Sequence, residues 1–240
     1  MKTRLDRALV ERGLVESREK AQALIMAGEV RVDGRRAVKS GQSVDADCPI
    51  EVLARPPYVG RGGFKLAAAL RQFPIAVAGA VCLDIGASTG GFTDVLLQAG
   101  AARVHAVDVG AGQLAWGLRT DPRVVLHERI NARELTLAEL GERVDLAVCD
   151  VSFISVTLIL PAIPPLLQPG GQMVILIKPQ FEVGKGQVGK GGIVRDPELH
   201  RAACERVARS AAELGFETSI MESPILGAEG NKEFLLHAHH

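Results

Sequence analysis

The sequence is poor in several features that mark specialised classes of protein. Its 240 residues include four cysteines, one tryptophan and one tyrosine, and 28 basic side chains balance 28 acidic ones. The cysteines are far apart and form no CxxC pair, which argues against a disulfide scaffold or a zinc ribbon. We interpret them as reduced thiols of a cytoplasmic protein. A content of 47% hydrophobic and 23% charged residues is typical of a globular protein.

Long uncharged apolar runs are also missing. A membrane-spanning helix needs about 20 consecutive apolar residues. The longest candidate, residues 144–167, is interrupted by Asp145, Asp150 and three prolines. The N-terminus lacks the apolar core of a signal peptide. We therefore expect no membrane association and a cytoplasmic location.

The balanced total charge hides an asymmetry along the chain. Residues 1–65 contain 13 basic and 9 acidic side chains, whereas the remainder contains 15 basic and 19 acidic ones. A basic N-terminal block is typical of a region that binds a polyanion.

The N-terminal block has the pattern of a small α+β domain. Leu5, Leu9 and Val10 predict a first helix, and Ser17 is a candidate N-cap of a second helix that ends at Gly28. Residues 30–32 alternate like a strand, Asp33-Gly34 is a hairpin signal, and the return strand is expected to begin at Ala37-Val38.

Residues 4–44, which include the pattern S-R-x-x-A-x-x-L-I-x-x-G-x-V-x-V-x-G, resemble the S4 RNA-binding domain. The resemblance implies that basic side chains around the second helix and the hairpin hold structured RNA. The matching candidates are Arg4, Arg18, Lys20, Arg31, Arg35 and Arg36. Solvated surface charge explains any one of them equally well. We expect an S4-like domain over residues 1–54, a proline-stiffened linker over 55–59 and a second domain over 60–240.

The second domain contains a glycine-rich turn after an apolar run, in the segment Val81–Asp94, VCLDIGASTGGFTD. A dinucleotide site requires G-x-G-x-x-G, and Ser88 occupies the place of the middle glycine. Asp84, on the strand before the turn, suits a positively charged ligand such as S-adenosylmethionine (SAM). The candidate cofactor residues of this segment are Asp84, Gly86, Ala87, Ser88, Gly90 and Gly91.

Strand and helix patterns alternate from there to the C-terminus, which predicts an α/β Rossmann-like parallel sheet with helices on both faces. The predicted strands are Val81–Asp84, Val104–Asp108, Val124–His127, Leu146–Cys149 and Met173–Ile177, with two later ones near Glu217–Met221 and Glu233–His237. Helices are expected in the gaps. Asp108, about 20 residues after the loop, is placed to accept hydrogen bonds from a ribose diol. Asn131 is a candidate adenine contact, although a turn-forming asparagine is nearly as good an explanation.

Four polar residues are predicted at the edges of this sheet. Lys65 lies in R-G-G-F-K, Asp150 and Lys178 follow apolar strands, and Glu233 begins the last strand. Ligands of doubly wound sheets bind at the carboxyl ends of the strands, where Asp150 and Lys178 are expected. A lysine after a buried run has either a partner carboxylate or a chemical task, unless it extends its amine to solvent.

Lys65, Asp150, Lys178 and Glu233 resemble the catalytic tetrad of FtsJ-type ribose 2′-O-methyltransferases. Together with the N-terminal domain, the chain resembles the TlyA family, also labelled haemolysin A. The matching stretches include G-R-G-G-F-K-L, DIGASTGGFTD, AVDVGAGQLAW, DVSFIS, KPQFEVG, VGKGGIVRDP and GNKEFLL. The resemblance implies SAM-dependent methylation of cytidine 2′-hydroxyls in rRNA, of the large subunit or of both subunits, without a metal. It also implies that Lys178 is steered by Asp150 and Glu233, while Lys65 stabilises negative charge.

One further motif, residues 184–190, fits G-x-x-x-x-G-K but continues with Gly191 in place of Ser or Thr. We interpret it as a basic loop whose Lys185 and Lys190 contact RNA. Three other functional classes stay open at this point: a nicotinamide-dependent oxidoreductase, a pore-forming haemolysin and a non-enzymatic ribosome-binding factor. The imperfect dinucleotide motif argues against the oxidoreductase, and the lack of a long apolar segment argues against the pore-forming haemolysin. A binding factor without enzymatic activity would leave the four polar residues unexplained.

Overall fold

The computed structural model describes residues 2–15, 17–26, 28–45, 47–53, 57–227 and 230–240. The chain divides into two compact units, residues 1–57 and 58–240. Arg55 and Pro56 of the predicted linker lie outside the described residues. Among the described helices, none is long and apolar enough to cross a membrane.

The first unit is a small α+β fold with a single apolar core. Its helices are α1 (Leu5–Glu11) and α2 (Arg18–Met26), and its strands are β1 (Lys2–Arg4), β2 (Val30–Val32), β3 (Arg35–Arg36), β4 (Ser43–Asp45) and β5 (Ile50–Val52). Strand β1 pairs with β4, and β3-β2-β5 form a second sheet. Leu5, Leu9, Ile25 and Val30 are fully buried between these elements.

Local signals in this unit are largely confirmed. The Ser17 hydroxyl accepts a hydrogen bond from the Lys20 amide at 3.2 Å, as an N-cap does. Asp33 and Gly34 both adopt positive φ, which a two-residue hairpin turn requires. The predicted start of the return strand at Ala37-Val38 is wrong. The tight turn brings the chain back at once, so β3 is Arg35–Arg36.

The second unit is a seven-stranded sheet in the order β11-β12-β10-β9-β6-β7-β8. The strands are β6 (Val81–Ile85), β7 (Arg103–Asp108), β8 (Val124–Glu128), β9 (Val144–Cys149), β10 (Leu167–Ile177), β11 (Glu217–Glu222) and β12 (Phe234–His239). Strands β6 to β10 are parallel to one another, and β12 lies antiparallel between β10 and β11. Since β12 begins at Phe234, Glu233 precedes the last strand and does not begin it, contrary to the sequence prediction.

Helices cover both faces of the sheet. They are α3 (Gly62–Gln72), α4 (Gly91–Gln98), α5 (Trp116–Arg119), α6 (Leu137–Leu140), α7 (Pro179–Glu182) and α8 (Pro197–Glu213). Leu66 of α3 and Leu96 of α4 pack with Val148 of β9 on one face, whereas Val207 of α8 belongs to the apolar cluster on the other face. Alternate residues of β9 join the two clusters, as the two-residue period of a strand requires.

The connection between β9 and β10 differs from the expected helix. It consists of three 3₁₀ turns, Val156–Leu158, Leu160–Ala162 and Pro164–Leu166. Pro161, Pro164 and Pro165 lack the amide hydrogen that a continuing α-helix needs, so the chain turns in short pieces.

Candidate active site

Among the described residues, three sizeable cavities open at the carboxyl edge of the parallel strands. The large cavity, about 530 Å³, is lined by Gly86, Asp108, Asn131 and Asp150 among others. The loop cavity, about 220 Å³, lies between the glycine-rich turn, Gly62 and Lys178. The lysine cavity, about 290 Å³, is lined by Lys65, Lys178, Phe181 and Glu233 among others. Shared lining residues make the three cavities neighbours.

The glycine-rich turn joins β6 to α4 and borders two of these cavities. Gly86 has φ +81°, and a Cβ there would lie 2.3 Å from the carbonyl oxygen of Asp150. No other residue type fits this close backbone approach. Ser88, at the position of the absent middle glycine, also has positive φ (+48°). The Gly90 carbonyl accepts from the Asp94 amide, and α4 begins at Gly91.

The turn is tied to Asp108 at the end of β7. One Asp108 oxygen accepts from the Ser88 amide at 2.8 Å, and the other accepts from the Gly110 amide at 2.7 Å. Asp108 also lines the large cavity. Its carboxylate therefore fixes the turn and also borders the cavity.

Asn131 lines the same cavity after β8. Its amide nitrogen donates to Glu134 at 3.0 Å, and its oxygen accepts from the Arg133 amide at 3.2 Å. The side chain thus holds a turn, as the alternative interpretation of the sequence expected, and it faces the cavity as well.

Asp84 lies deeper than a residue that touches a ligand. It is fully buried and lines none of the three cavities. One carboxylate oxygen accepts from the Thr93 hydroxyl at 2.6 Å, and the other has no hydrogen-bond partner among the described residues. Burial raises the pKa of Asp84 to about 7, with Asp150 and Asp108 adding to the rise.

Four ionisable residues form two lysine–carboxylate pairs. Nζ of Lys178 lies 2.6 Å from Asp150 Oδ1, and Nζ of Lys65 lies 2.5 Å from Glu233 Oε2. The Lys65 pair is almost completely buried, whereas the Lys178 pair is partly open to the loop cavity. The Glu233 carboxylate contacts Lys65, whereas the family resemblance implied that Glu233 steers Lys178.

Separate parts of the fold hold each pair in place. Lys65 lies in the first turn of α3, and Glu233 lies at the entry to β12. A Cβ on Gly227 would lie 2.4 Å from Glu233 Oε1, so the backbone of the preceding loop packs directly on this carboxylate. Arg61 donates to the carbonyl of Leu226 at 2.9 Å, which ties the same loop to the start of α3.

Sequence reasoning missed three residues of this site. Ser152 accepts a hydrogen bond from Nζ of Lys178 at 2.8 Å. Phe153 is 93% exposed, has φ +67° and stacks obliquely against Phe181, with ring centroids 5.5 Å apart. A large aromatic side chain held out by a strained backbone is typical of a functional surface. The available signal was the stretch DVSFIS, which follows directly after β9.

The predicted RNA-binding residues fall into two groups. Arg4 and Arg18 both donate to the buried Asp6, and Arg36 donates to the carbonyl of Gly28 at 2.8 Å. Arg31 and Arg35 are exposed on the hairpin and Lys20 on α2, while Lys185 and Lys190 begin 3₁₀ turns in the second unit. The arginines of the first group therefore stabilise the fold of the first unit, in addition to any contact with RNA.

The site contains the groups for proton transfer and for binding a nucleoside. Within the described part of the chain, no group of three or more His, Cys, Asp or Glu residues could hold a metal ion. The close approach at Gly86, the carboxylate of Asp108 and the large cavity between them fit an adenosine-containing ligand. Two paired lysines beside that cavity fit chemistry on a hydroxyl group.

Family models match the two units separately. Residues 58–240 match the FtsJ-like methyltransferase model, and residues 3–47 match the S4 domain model. A Mycobacterium tuberculosis relative, 16S/23S rRNA (cytidine-2′-O)-methyltransferase TlyA, is 52% identical over 98% of this chain and 89% of its own length. Hemolysin A of Brachyspira hyodysenteriae is 44% identical over 98% of both chains.

Solved structures agree with this assignment. A protein called a hemolysin from Streptococcus thermophilus superposes with a TM-score of 0.76 and 44% identity, covering 99% of this chain and 88% of that one. A SAM-dependent methyltransferase from Listeria monocytogenes, with a TM-score of 0.56 and 13% identity, covers 75% of this chain and 99% of its own and shows the shared fold. The chain belongs to the TlyA family, in which an S4 domain precedes an FtsJ-like SAM-dependent methyltransferase domain.

Proposed function

We propose that this protein transfers a methyl group from SAM to the ribose 2′-hydroxyl of a cytidine in ribosomal RNA. The observation that carries the proposal is the pair of lysine–carboxylate contacts beside the cavity of the glycine-rich turn. The M. tuberculosis relative named for this reaction covers nearly the whole chain at 52% identity. A ribosomal substrate also agrees with the cytoplasmic location expected from the sequence.

SAM supplies a methyl group bound to a positively charged sulfur. We assign its binding to the large cavity and the loop cavity, where Gly86, Ala87, Ser88, Gly90 and Gly91 form the turn and Asp108 accepts from a ribose diol. Asn131 lines the large cavity, and we assign it to the adenosine part of the ligand. Asp84 acts indirectly, since its buried carboxylate lies near the end of the strand that leads into the turn, and its negative charge when ionised favours a positively charged ligand.

The two lysines have different tasks in this proposal. Lys178, held by Asp150, orients the 2′-hydroxyl and accepts its proton as the oxygen bonds to the methyl carbon. Lys65, held by Glu233, stabilises the negative charge that develops on the oxygen. Lys65 suits this task because its buried partner keeps the ammonium in a fixed position.

Residues 1–54 are proposed to bind the RNA, with residues 55–59 as the linker to the catalytic domain at 60–240. Arg31 and Arg35 on the hairpin and Lys20 on α2 would contact phosphates, and Lys185 and Lys190 would add contacts near the catalytic cavities. The target nucleotide must leave its stack for its ribose to reach Lys178.

The test uses the purified full chain, methyl-labelled SAM and isolated small and large ribosomal subunits. We expect label on a cytidine ribose, mapped as a phosphodiester that resists alkaline cleavage. Lys178→Ala should lower transfer by at least about 100-fold while SAM affinity by calorimetry changes little. Arg209→Ala, a charge deletion on the exposed side of α8, is the matched control and should retain activity. Label on a base, or full activity of Lys178→Ala, would refute the assignment.

A further inference from the structure

Ser152 lies where the three cavities of the second unit meet. Of all the described residues, it alone lines the large cavity, the loop cavity and the lysine cavity. Its hydroxyl oxygen lies 2.8 Å from Nζ of Lys178. Ser152 is exposed to the cavities, so its hydroxyl does not depend on the lysine for a hydrogen-bond partner. A reason for this contact has to come from what it does to the lysine.

The geometry around Nζ of Lys178 limits what the amine can do. The nitrogen is tetrahedral, and three of its positions are available beyond the bond to Cε. Asp150 Oδ1 at 2.6 Å occupies one position and Ser152 Oγ at 2.8 Å occupies a second. The third position is the one left for a substrate hydroxyl.

A lysine that accepts a proton must present a lone pair, and the two hydrogen bonds decide where it points. A neutral amine has two N–H groups and one lone pair, and both Asp150 and Ser152 present acceptor oxygens. When both N–H groups are donated to these acceptors, the lone pair is directed to the third position. Without Ser152, rotation about the Cε–Nζ bond can place an N–H there and turn the lone pair away.

The chemical type of the second acceptor also matters. A second carboxylate would favour the ammonium form of the lysine and hold its proton, whereas a hydroxyl accepts a hydrogen bond without adding charge. A serine therefore orients the amine and leaves it able to accept a proton. The neighbouring Lys65 is also paired with a carboxylate, but among the described residues no hydroxyl is recorded in contact with its Nζ.

We infer that Ser152 is a positioning residue for methyl transfer: its hydroxyl turns the lone pair of Lys178 toward the ribose 2′-hydroxyl. The proton of that hydroxyl passes to Nζ while the oxygen–methyl bond forms and the carbon–sulfur bond breaks, and the sulfur keeps the electron pair. This inference rests on the proposed function.

The test compares single-turnover methyl transfer by wild type, Ser152→Ala and Ser152→Thr, because single turnovers separate chemistry from product release. We expect Ser152→Ala to lower the rate about tenfold, with SAM affinity and RNA affinity within about twofold of wild type. Ser152→Thr keeps the hydroxyl and should recover most of the rate. In contrast, a merely structural role predicts weaker binding and no recovery by threonine.

A second arm connects the effect to the lysine. In a Lys178→Arg background, where no neutral amine is available, adding Ser152→Ala should lower the remaining rate by less than twofold. A full tenfold loss in that background, or an unchanged rate of Ser152→Ala alone, would overturn the inference and leave the proposed function standing. Inactive wild-type protein would overturn both.

Discussion

Among the described residues, each unit contains one fully buried aspartate, and the two carboxylates have opposite hydrogen-bonding environments. Asp6 in the first unit accepts hydrogen bonds from Arg4, Arg18 and Gln22 at distances of 2.9 to 3.0 Å. Asp84 in the second unit accepts from Thr93 and leaves its other oxygen without a partner among the described residues. The arginine partners hold the pKa of Asp6 far below its usual range, whereas burial raises that of Asp84 to about 7.

The difference distinguishes a carboxylate that stabilises the fold from one whose hydrogen-bonding capacity is only partly used. Asp6 connects the start of α1 to α2, because its two carboxylate oxygens accept hydrogen bonds from Arg4, just before α1, and from side chains of α2. Asp84 costs stability when it is ionised, because half of its hydrogen-bonding capacity is unused. In our proposal such a group is retained because a positively charged ligand benefits from its charge. The paired carboxylates of the active site lie between these extremes, since each is bound to one lysine.

The largest effect is expected where a carboxylate serves chemistry. Asp150→Asn removes the charge that holds Lys178 and should lower methyl transfer by about 100-fold or more. The unfolding midpoint should change little, because the side chain is partly exposed and keeps its shape. Methyl-transfer kinetics and thermal unfolding of the same preparation measure both quantities. Loss of stability as large as that of an Asp6 variant would remove the distinction between the two regions.

Asp6→Asn tests the structural end of the comparison. The substitution leaves Arg4 and Arg18 without their shared carboxylate, and we expect a loss of about 2 kcal/mol from the free energy of unfolding of the first unit. Because the pKa of Asp6 is lowered on folding, its contribution is complete above the unfolded pKa and disappears as the pH falls through the folded pKa.

Hydrogen exchange of amides in α1 and α2 reports this loss locally. Amides of β6 and β9 in the second unit serve as the internal control and should be unaffected. Equal loss of protection in both units would show that Asp6 does not act through the contact between α1 and α2.

Asp84→Asn should have a smaller effect with the opposite sign. The folded pKa is raised, so the wild-type protein loses stability as the pH rises from about 4 to about 7. The amide is neutral throughout and can still accept from Thr93. We expect the variant to be about 1 to 2 kcal/mol more stable than wild type at pH 8 and nearly equal at pH 4.5.

The same variant should bind SAM about tenfold more weakly, because the buried negative charge is gone. Denaturant titrations at the two pH values and calorimetry with SAM measure the two effects. Glu213→Gln, at the exposed end of α8, is a neutralising control that should change neither. A stability gain that is the same at both pH values would contradict the role assigned to ionisation.

These contrasts define what the sequence could predict. The roles of Ser17 and Asp33-Gly34 depend on their immediate neighbours, so a short stretch of sequence is enough to predict the helix cap and the hairpin turn. Asp150 and Lys178 follow apolar strands, and the rule that parallel strands end at one edge placed them together. The pairing of Glu233 with Lys65 depends on how β12 and α3 pack, which no local pattern records. Ser152 is a small polar residue in a loop and carries no periodic signal.

The arginines of the first unit extend the comparison to RNA binding, where the expected effects are smallest. Arg35 lies exposed on the hairpin with no side-chain partner recorded among the described residues, whereas Arg4 is bound to Asp6. Arg35→Ala should weaken binding to rRNA by about three- to tenfold and reduce the slope of log affinity against log salt by about 1. Stability should be unchanged.

Arg4→Ala should lower stability as well as affinity, because the same guanidinium group holds the buried carboxylate. Binding isotherms between about 50 and 200 mM salt, together with thermal unfolding of each variant, separate the two cases. Arg209→Ala controls for a general loss of positive charge. If Arg35→Ala left the salt slope unchanged while Arg4→Ala reduced it, the phosphate contacts would belong to the arginines around Asp6. The buried carboxylate of Asp6 would then support RNA binding by holding those arginine side chains in place. In that case the first unit, too, would contain a buried carboxylate with a functional role.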